Sequence, residues 1–260
     1  MDETQIKLPA LIRALDRTTI YLSRDFLGGP KVLRLSWVIN FQKGTTILFI
    51  GLLMWVYQNN STAAWVYLGL HGSYGLVWLI KHANFPDKRW DVPVTLGGAA
   101  MSFLLVLGPY WLAPFLLISG ILGPDHPQPG NLLNWLAISL HTLGLAVMVA
   151  ADAQKFYTLR YRPGLITEGM FKHIRHPNYL GEMLIYAAYA LLVRHWLPWL
   201  VLVWVWGAVF SVNIWIKEAS LARFPGWDEY KAQSGLLLPK PPWVKPNPTA
   251  QTEKPSEREG

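Results

Sequence analysis

The sequence predicts an all-α, polytopic integral membrane protein: a bundle of about six transmembrane helices with both termini on the cytoplasmic side. Three observations carry this. The chain of 260 residues is 52% hydrophobic and only 15% charged, where a soluble domain carries about 25% charge. Six apolar segments follow one another, most of them near the ~20 residues that a helix needs to span a bilayer. Lysine and arginine gather in alternate connections between those segments, as the positive-inside rule requires.

Residues 1–35 form a cytoplasmic arm. In "IKLPALIRALDRTTIYL", Ile6, Leu8, Leu11, Ile12, Leu15 and Leu22 fall roughly on one helical side, and Arg13, Arg17 and Arg24 mostly elsewhere. That pattern suits a helix lying on an anionic membrane surface, and equally a plain surface helix. The arm lacks a compact apolar stretch ending in small residues, so no cleavable signal peptide is expected.

The membrane domain is expected over residues 36–239. Its first segment is Ser36–Gln58, with Lys43 as the one charge; the second is Ser61–Ile80. The third, Val94–Ile118, is broken by "GPYWLAP". The fourth is Leu132–Ala151. The fifth, Tyr179–Val193, is short and must borrow length from Asn178 and Arg194. The sixth is Leu197–Ile216, joined to the fifth by a hairpin at "RHWLP". With the N-terminus inside, 21 of the 23 Lys and Arg fall on the cytoplasmic side, Lys43 and Arg194 being the others. Residues 240–260, "KPPWVKPNPTAQTEKPSEREG", are rich in proline and charge and poor in apolar residues, so a disordered tail is expected.

Several function classes fall away. With no cysteine, disulfides, thiolate metal sites and a cysteine nucleophile are excluded. No Walker motif, no GxGxxG after a strand and no HExxH occurs. His71, His82, His126 and His141 are too scattered to argue for a metal. The net charge of +7 follows the membrane topology and does not point to nucleic acid.

Polar residues inside the spans draw attention because they are costly in lipid. Asn178, Glu182, Tyr186 and Tyr189 are spaced four, four and three apart and make one stripe of the fifth helix. His141, Met148, Asp152 and Lys155 do the same on the fourth, Phe210, Asn213, Lys217 and Ser220 on the sixth, and Tyr67, His71, Tyr74 and Trp78 or Lys81 on the second. Interhelical hydrogen bonding without chemistry is the plain reading of such stripes. A carboxylate costs more to hide than an amide, so Glu182 asks for a function. Beside it lies a basic loop in which Lys155, Arg160, Arg162, Lys172, His173, Arg175 and His176 crowd within 22 residues. Inner-leaflet anchoring accounts for part of that charge. The run "HIRHPNY", bent by Pro177 at a helix N-terminus, also suits an anionic group.

The stretches "RPG…GMFKHIRHPNYLGE" and "NIWIKEASLARFPGWDEYKAQSGLLLP" resemble the steroid 5α-reductase family, which includes sterol reductases and very-long-chain enoyl reductases. The resemblance covers roughly residues 130–240. That family shares a helical fold with isoprenylcysteine carboxyl and phospholipid methyltransferases. Asn178, Tyr179, Leu180, Gly181 and Glu182 match the reductase pattern. The resemblance implies that Glu182 meets the carbonyl of a conjugated enone and that Asn178 helps hold the nicotinamide. It further implies that Asp152, Lys155, Arg160, Arg162 and Arg175 bind NADPH, with Arg162 and Arg175 on phosphates. His173, His176, Asn213 and Lys217 complete the expected cofactor set. Tyr186 or His71 would partner Glu182.

The expected activity is therefore NADPH-dependent reduction of a carbonyl-conjugated C=C bond in a lipid-like, steroid-like or enoyl substrate. Hydride addition drives negative charge onto the carbonyl oxygen, and a donor must meet it. The alternative is an S-adenosylmethionine-dependent methyltransferase, in which Arg175, His176 and Glu218 hold the amino-acid part of the cofactor. A non-enzymatic lipid-binding protein is a third class, for which cofactor affinity should be absent. Membrane lipids and a lipid-like small molecule are the expected partners.

Overall fold

The computed structural model describes residues 9–241. Helix α1, Ala10–Ile20, runs on into a π-helical turn at Tyr21–Asp25. None of its residues is buried, and Leu11 is among the exposed apolar side chains. Two short strands follow the arm and the second loop: β1, Leu33–Arg34, pairs antiparallel with β2, Pro93–Val94. This clasp ties the arm to the base of the bundle.

Five helices are long and apolar enough to cross a membrane: α2, Leu35–Val56; α3, Thr62–Asn84; α4, Leu96–Ile118; α5, Asn131–Tyr161; and, after a shorter helix, α7, Trp196–Leu221. The shorter one, α6, Pro177–Val193, has 17 residues, in keeping with the short fifth segment of the sequence. Helix α8, Trp227–Gln233, closes the described chain. Local chemistry sets the starts. The Ser61 side chain accepts from the Ala64 N–H at the head of α3, and the Thr95 hydroxyl accepts from the Gly98 N–H at the head of α4. Pro177 opens α6, where its missing N–H costs nothing. Arg194 ends α6 in the left-handed conformation at φ 54°.

"GPYWLAP" does not break the third segment. It tightens α4 into a 3₁₀ turn at Gly108–Trp111, after a π-helical turn at Phe103–Leu107, and the helix continues. A proline near the start of a tightened turn loses little hydrogen bonding, which explains the difference. Helices α3 and α7 carry π-helical turns too, at Leu68–Gly72 and Trp206–Phe210.

Helices α5 and α6 make the most intimate pair. A Cβ on Gly144 would lie 2.6 Å from the Gly181 carbonyl oxygen, and one on Gly181 equally close to that of Gly144. Small residues let helix backbones approach this closely. Gly75 does the same for α3 against the Lys43 carbonyl of α2. Outward, the bundle shows large apolar side chains, among them Trp37 and Trp55 at the two ends of α2 and Leu48 between them. Such a face suits lipid, with aromatic residues at the interfaces.

Two residues of the expected tail, Lys240 and Pro241, are described. Lys240 donates to the carbonyls of Lys231 and Ala232, at 2.9 and 2.7 Å, and so closes the C-terminus of α8. Residues 242–260, where the rest of the expected tail falls, and Ile6 and Leu8 of the arm lie outside the described residues.

Candidate functional site

The loop from residue 162 to residue 176 is built onto the end of α5. The Gln154 side chain donates to the Glu168 carbonyl at 2.9 Å and accepts from the Met170 N–H at 2.8 Å. Gly169 sits between them at φ 57°, and a Cβ there would meet the Gln154 amide at 2.5 Å, so glycine is required. From below, the Tyr230 hydroxyl of α8 donates to the Phe171 carbonyl at 2.6 Å.

The chain then pairs with the C-terminal segment. The N–H groups of Arg175 and His176 donate to the carbonyls of Gly235 and Leu236 at 2.9 and 3.1 Å. This turns both side chains inward. Arg175 Nε lies 2.9 and 3.1 Å from the two oxygens of Glu218, and its Nη1 donates to the Ser234 carbonyl at 2.6 Å. His176 Nε2 lies 2.9 Å from Glu218 Oε1. Burial pushes the His176 imidazole below its ordinary value, outweighing the Glu218 hydrogen bond, and the Lys217 and Arg175 charges act in the same direction as burial.

Two cavities flank the end of α5 and share Lys155 and Leu159 as a wall. The larger, about 470 Å³, is lined by Lys81, Lys88, Asp152, Lys155 and Arg160 with Phe85 and Phe156. The smaller, about 230 Å³, is lined by Arg89, Lys155, Arg175, His176, Asn178 and Lys217, with Ile166 and Phe171 on its apolar side. Both carboxylates at the larger cavity are engaged. Asp152 pairs with Lys81 at 2.5 Å; Asp87 pairs with Arg89 at 2.5 Å and with Lys155 at 3.5 Å. Burial opposes the Asp87 charge, yet the Arg89 hydrogen bond and the Lys155 charge outweigh it and hold the carboxyl well below the usual carboxylate range. Lys88, Arg160 and Lys217 have no carboxylate within 4 Å among the described residues. Cationic donors in excess, set among apolar walls, are what a phosphate-bearing organic cofactor needs.

Above the cavities the polar stripes converge. Glu182 is partly buried on α6, within electrostatic reach of Lys43, Lys81, Asp152 and Lys217. One turn on, the Tyr186 hydroxyl accepts from the Lys43 ammonium. His71 stacks on Tyr189, ring centroids 4.2 Å apart, and its Nδ1 lies 3.3 Å from the Tyr67 hydroxyl.

The expected residues thus divide. Asp152, Lys155 and Arg160 line the larger cavity; Arg175, His176, Asn178 and Lys217 line the smaller one, together with Lys155. Glu182, Tyr186 and His71 lie in the interior beyond them. Arg162 lines neither cavity and pairs instead with Glu168 at 2.5 Å on the surface. His173 is exposed and Asn213 half-buried, both away from the two linings. Arg175 is present at the smaller cavity, but Glu218 and Ser234 occupy much of its donor capacity. Arg89 and Lys43 had no role in the sequence reading. Arg89 sits in a loop without periodicity. Lys43 could have been singled out as a lone cation in an apolar span.

A family profile described as a protein of unknown function, DUF1295, matches residues 31–224. An uncharacterized protein, C7D4.09c, from Schizosaccharomyces pombe is 51% identical over 41 residues, which is 16% of this chain and 15% of that one. No solved structure matches. The family match covers the two-stranded clasp, every long helix up to α7 and both sides of the two cavities, and on that breadth the chain belongs to the DUF1295 family.

Proposed function

We propose that this chain is an NADPH-dependent membrane oxidoreductase that reduces a carbonyl-conjugated C=C bond in a lipid-like substrate, steroid-like or enoyl. One observation carries the reading. The two cation-lined cavities share Lys81, Asp152 and Lys217 with the surroundings of Glu182, so a phosphate-binding region and a polar interior adjoin. In this reading the loops around Lys88, Arg160 and Arg175 are cytoplasmic, as are both termini, and the substrate arrives from the membrane.

The cofactor supplies hydride to the β-carbon of the enone. The chain's own groups do the rest. Lys155, Arg160, Lys217 and Arg89 bind phosphate oxygens, and Asn178, at the first turn of α6, hydrogen-bonds the carboxamide end. Arg175 and His176 shape the smaller cavity while Glu218 holds them in place. Glu182 and Tyr186, with His71 behind them, meet the negative charge that gathers on the carbonyl oxygen.

A second reading has an observation in its favour. Arg175, His176 and Glu218 meet in one cluster, as expected for the group that would hold the amino-acid part of S-adenosylmethionine in a methyltransferase. Binding of each cofactor to detergent-purified protein separates the readings. We expect NADPH to bind, and Lys155→Met and Lys217→Met each to weaken it at least several-fold. Selective binding of S-adenosylmethionine would replace the reductase by the methyltransferase, and binding of neither would refute both. Glu182→Gln, assayed by NADPH oxidation with an enone, then tests the proton donor separately.

A further inference from the structure

Lys43 stands in the middle of α2 with 4% of its surface exposed. A lone cation inside an apolar bundle is costly, and it stays only where partners compensate. Three helices supply them. The ammonium lies 4.6 Å from the ring centroid of Tyr74 and 5.4 Å from that of Trp78, both on α3. It lies 5.5 Å from Tyr110 on α4 and 5.0 Å from Tyr186 on α6. Cation–π attraction favours each approach. Among the described residues, one of its three N–H bonds goes to a side-chain oxygen, that of Tyr186.

The aromatic cage by itself has a sufficient structural explanation. A further observation does not. His71 Nε2, fully buried, has no hydrogen-bond partner among the described residues, and the equally buried Tyr74 hydroxyl reaches only that of Tyr186. Buried polar groups are nearly always paired, and exceptions mark a ligand, a water or a catalytic role. Both rings flank the same tyrosine: the His71 ring is 6.4 Å and the Tyr74 ring 5.8 Å from that of Tyr186. The backbone around them is irregular as well. His71 lies in the π-helical turn of α3 and Tyr110 in the 3₁₀ turn of α4, a kind of geometry frequent at functional sites. Between Tyr110 and Tyr186 on one side and Pro198 and Leu202 of α7 on the other, the packing leaves an apolar gap of about 10 Å³, room for one water-sized group.

We propose that Lys43 and Tyr186 form a carbonyl- and oxyanion-binding site inside the bundle, for the oxygen-bearing end of an amphipathic, lipid-soluble ligand. Tyr186 accepts from Lys43 and keeps its own O–H to donate to the ligand oxygen. The ammonium stabilises negative charge there, His71 offers a further contact, and Glu182, within electrostatic reach of Lys43, must be protonated for an anionic oxygen to sit beside it. The gap against α7 is too small for the ligand's apolar body as it stands, so the stacked pair Tyr110 and Tyr186 must part and α7 give way to admit it. That this oxygen belongs to the reducible enone rests on the reductase reading; the binding site itself does not.

The test uses the full chain in detergent, without cofactor, and an alkyl-substituted nitrophenol whose absorbance reports its ionisation. Wild-type protein should bind it as the phenolate, with its titration moved down by about one pH unit relative to detergent alone. Lys43→Met should abolish that displacement, Lys43→Arg should restore part of it, and Tyr186→Phe should weaken binding several-fold. Absence of the displacement in wild-type protein overturns the proposal, as does an unchanged spectrum in Lys43→Met. Should Lys43→Met not fold, Tyr186→Phe decides alone: unchanged affinity and spectrum overturn the site. NADPH binding is measured on the same samples. Its absence beside intact phenolate binding removes the reductase and leaves the site; the reverse removes only the site.

Discussion

Glu218→Gln keeps the shape of the side chain and removes its charge. Arg175 then loses an ionic partner that faces its Nε at 2.9 and 3.1 Å, while the Ser234 carbonyl at 2.6 Å stays in place. Hydrogen bonds to charged groups contribute about 1.5–3 kcal/mol, and leaving a buried charge unpaired costs about 3–5 kcal/mol. The glutamine oxygen still accepts one bond, and Glu218 retains some contact with water at 16% side-chain exposure. About 2 kcal/mol is therefore the expected loss, drawn from the lower range for charged hydrogen bonds. The pairing of residues 173–176 with 235–236 depends on this clamp, so the loss should appear as local opening. At about 1.4 kcal/mol per tenfold, the amides of Arg175 and His176 should exchange hydrogen about 30-fold faster. Amides in the middle of α5 should be unchanged. Exchange at the wild-type rate at Arg175 and His176 would mean that Glu218 does not hold the segment, and the assignment of Arg175 as a scaffold residue would fall with it.

Three further outcomes are expected. Gly181→Ala should force α5 and α6 apart, costing about 2 kcal/mol by overpacking and lowering the thermal midpoint in detergent, whereas Gly51→Ala, with open space at its Cβ, should not. Lys81→Met should destabilise more than Lys81→Met with Asp152→Leu, because the single change strands a carboxylate that is only 14% exposed; paired thermal melts decide. His176 titrates below its ordinary value of 6.5 in the folded chain, so the unfolded chain takes up the proton first as pH falls. Thermal stability should therefore decline below about pH 6.5, and His176→Gln should flatten that decline if His176 is its source.

Apolarity alone marked out two helices to within a few residues, Ser36–Gln58 against Leu35–Val56 and Tyr179–Val193 against Pro177–Val193, but stopped ten residues short on the fourth segment, Leu132–Ala151 against Asn131–Tyr161, whose last turns are polar. Periodicity also placed Glu182 and Tyr186 on one stripe. It carried no information on which stripe each helix turns toward which neighbour. Lys43 on α2 and Tyr186 on α6 are 143 residues apart, and only the tertiary packing brings them together. Arg162 shows a different limit. Its position in the basic loop suggested a ligand contact, but Glu168, six residues on, takes the guanidinium at the surface. Charge density along a loop does not reveal which cations are already neutralised by their own neighbours.

The pairing of Arg175 and His176 with Gly235 and Leu236 joins the mouth of α6 to a stretch made about sixty residues later. Ribosomes add about 5–20 residues per second, so for roughly three to twelve seconds of synthesis the mouth of α6 waits for its second half. All the long helices have been synthesised before that half is made. A nascent chain halted before Ser234 therefore lacks the partner of the α6 mouth, and the last eight described residues, 234–241, supply it.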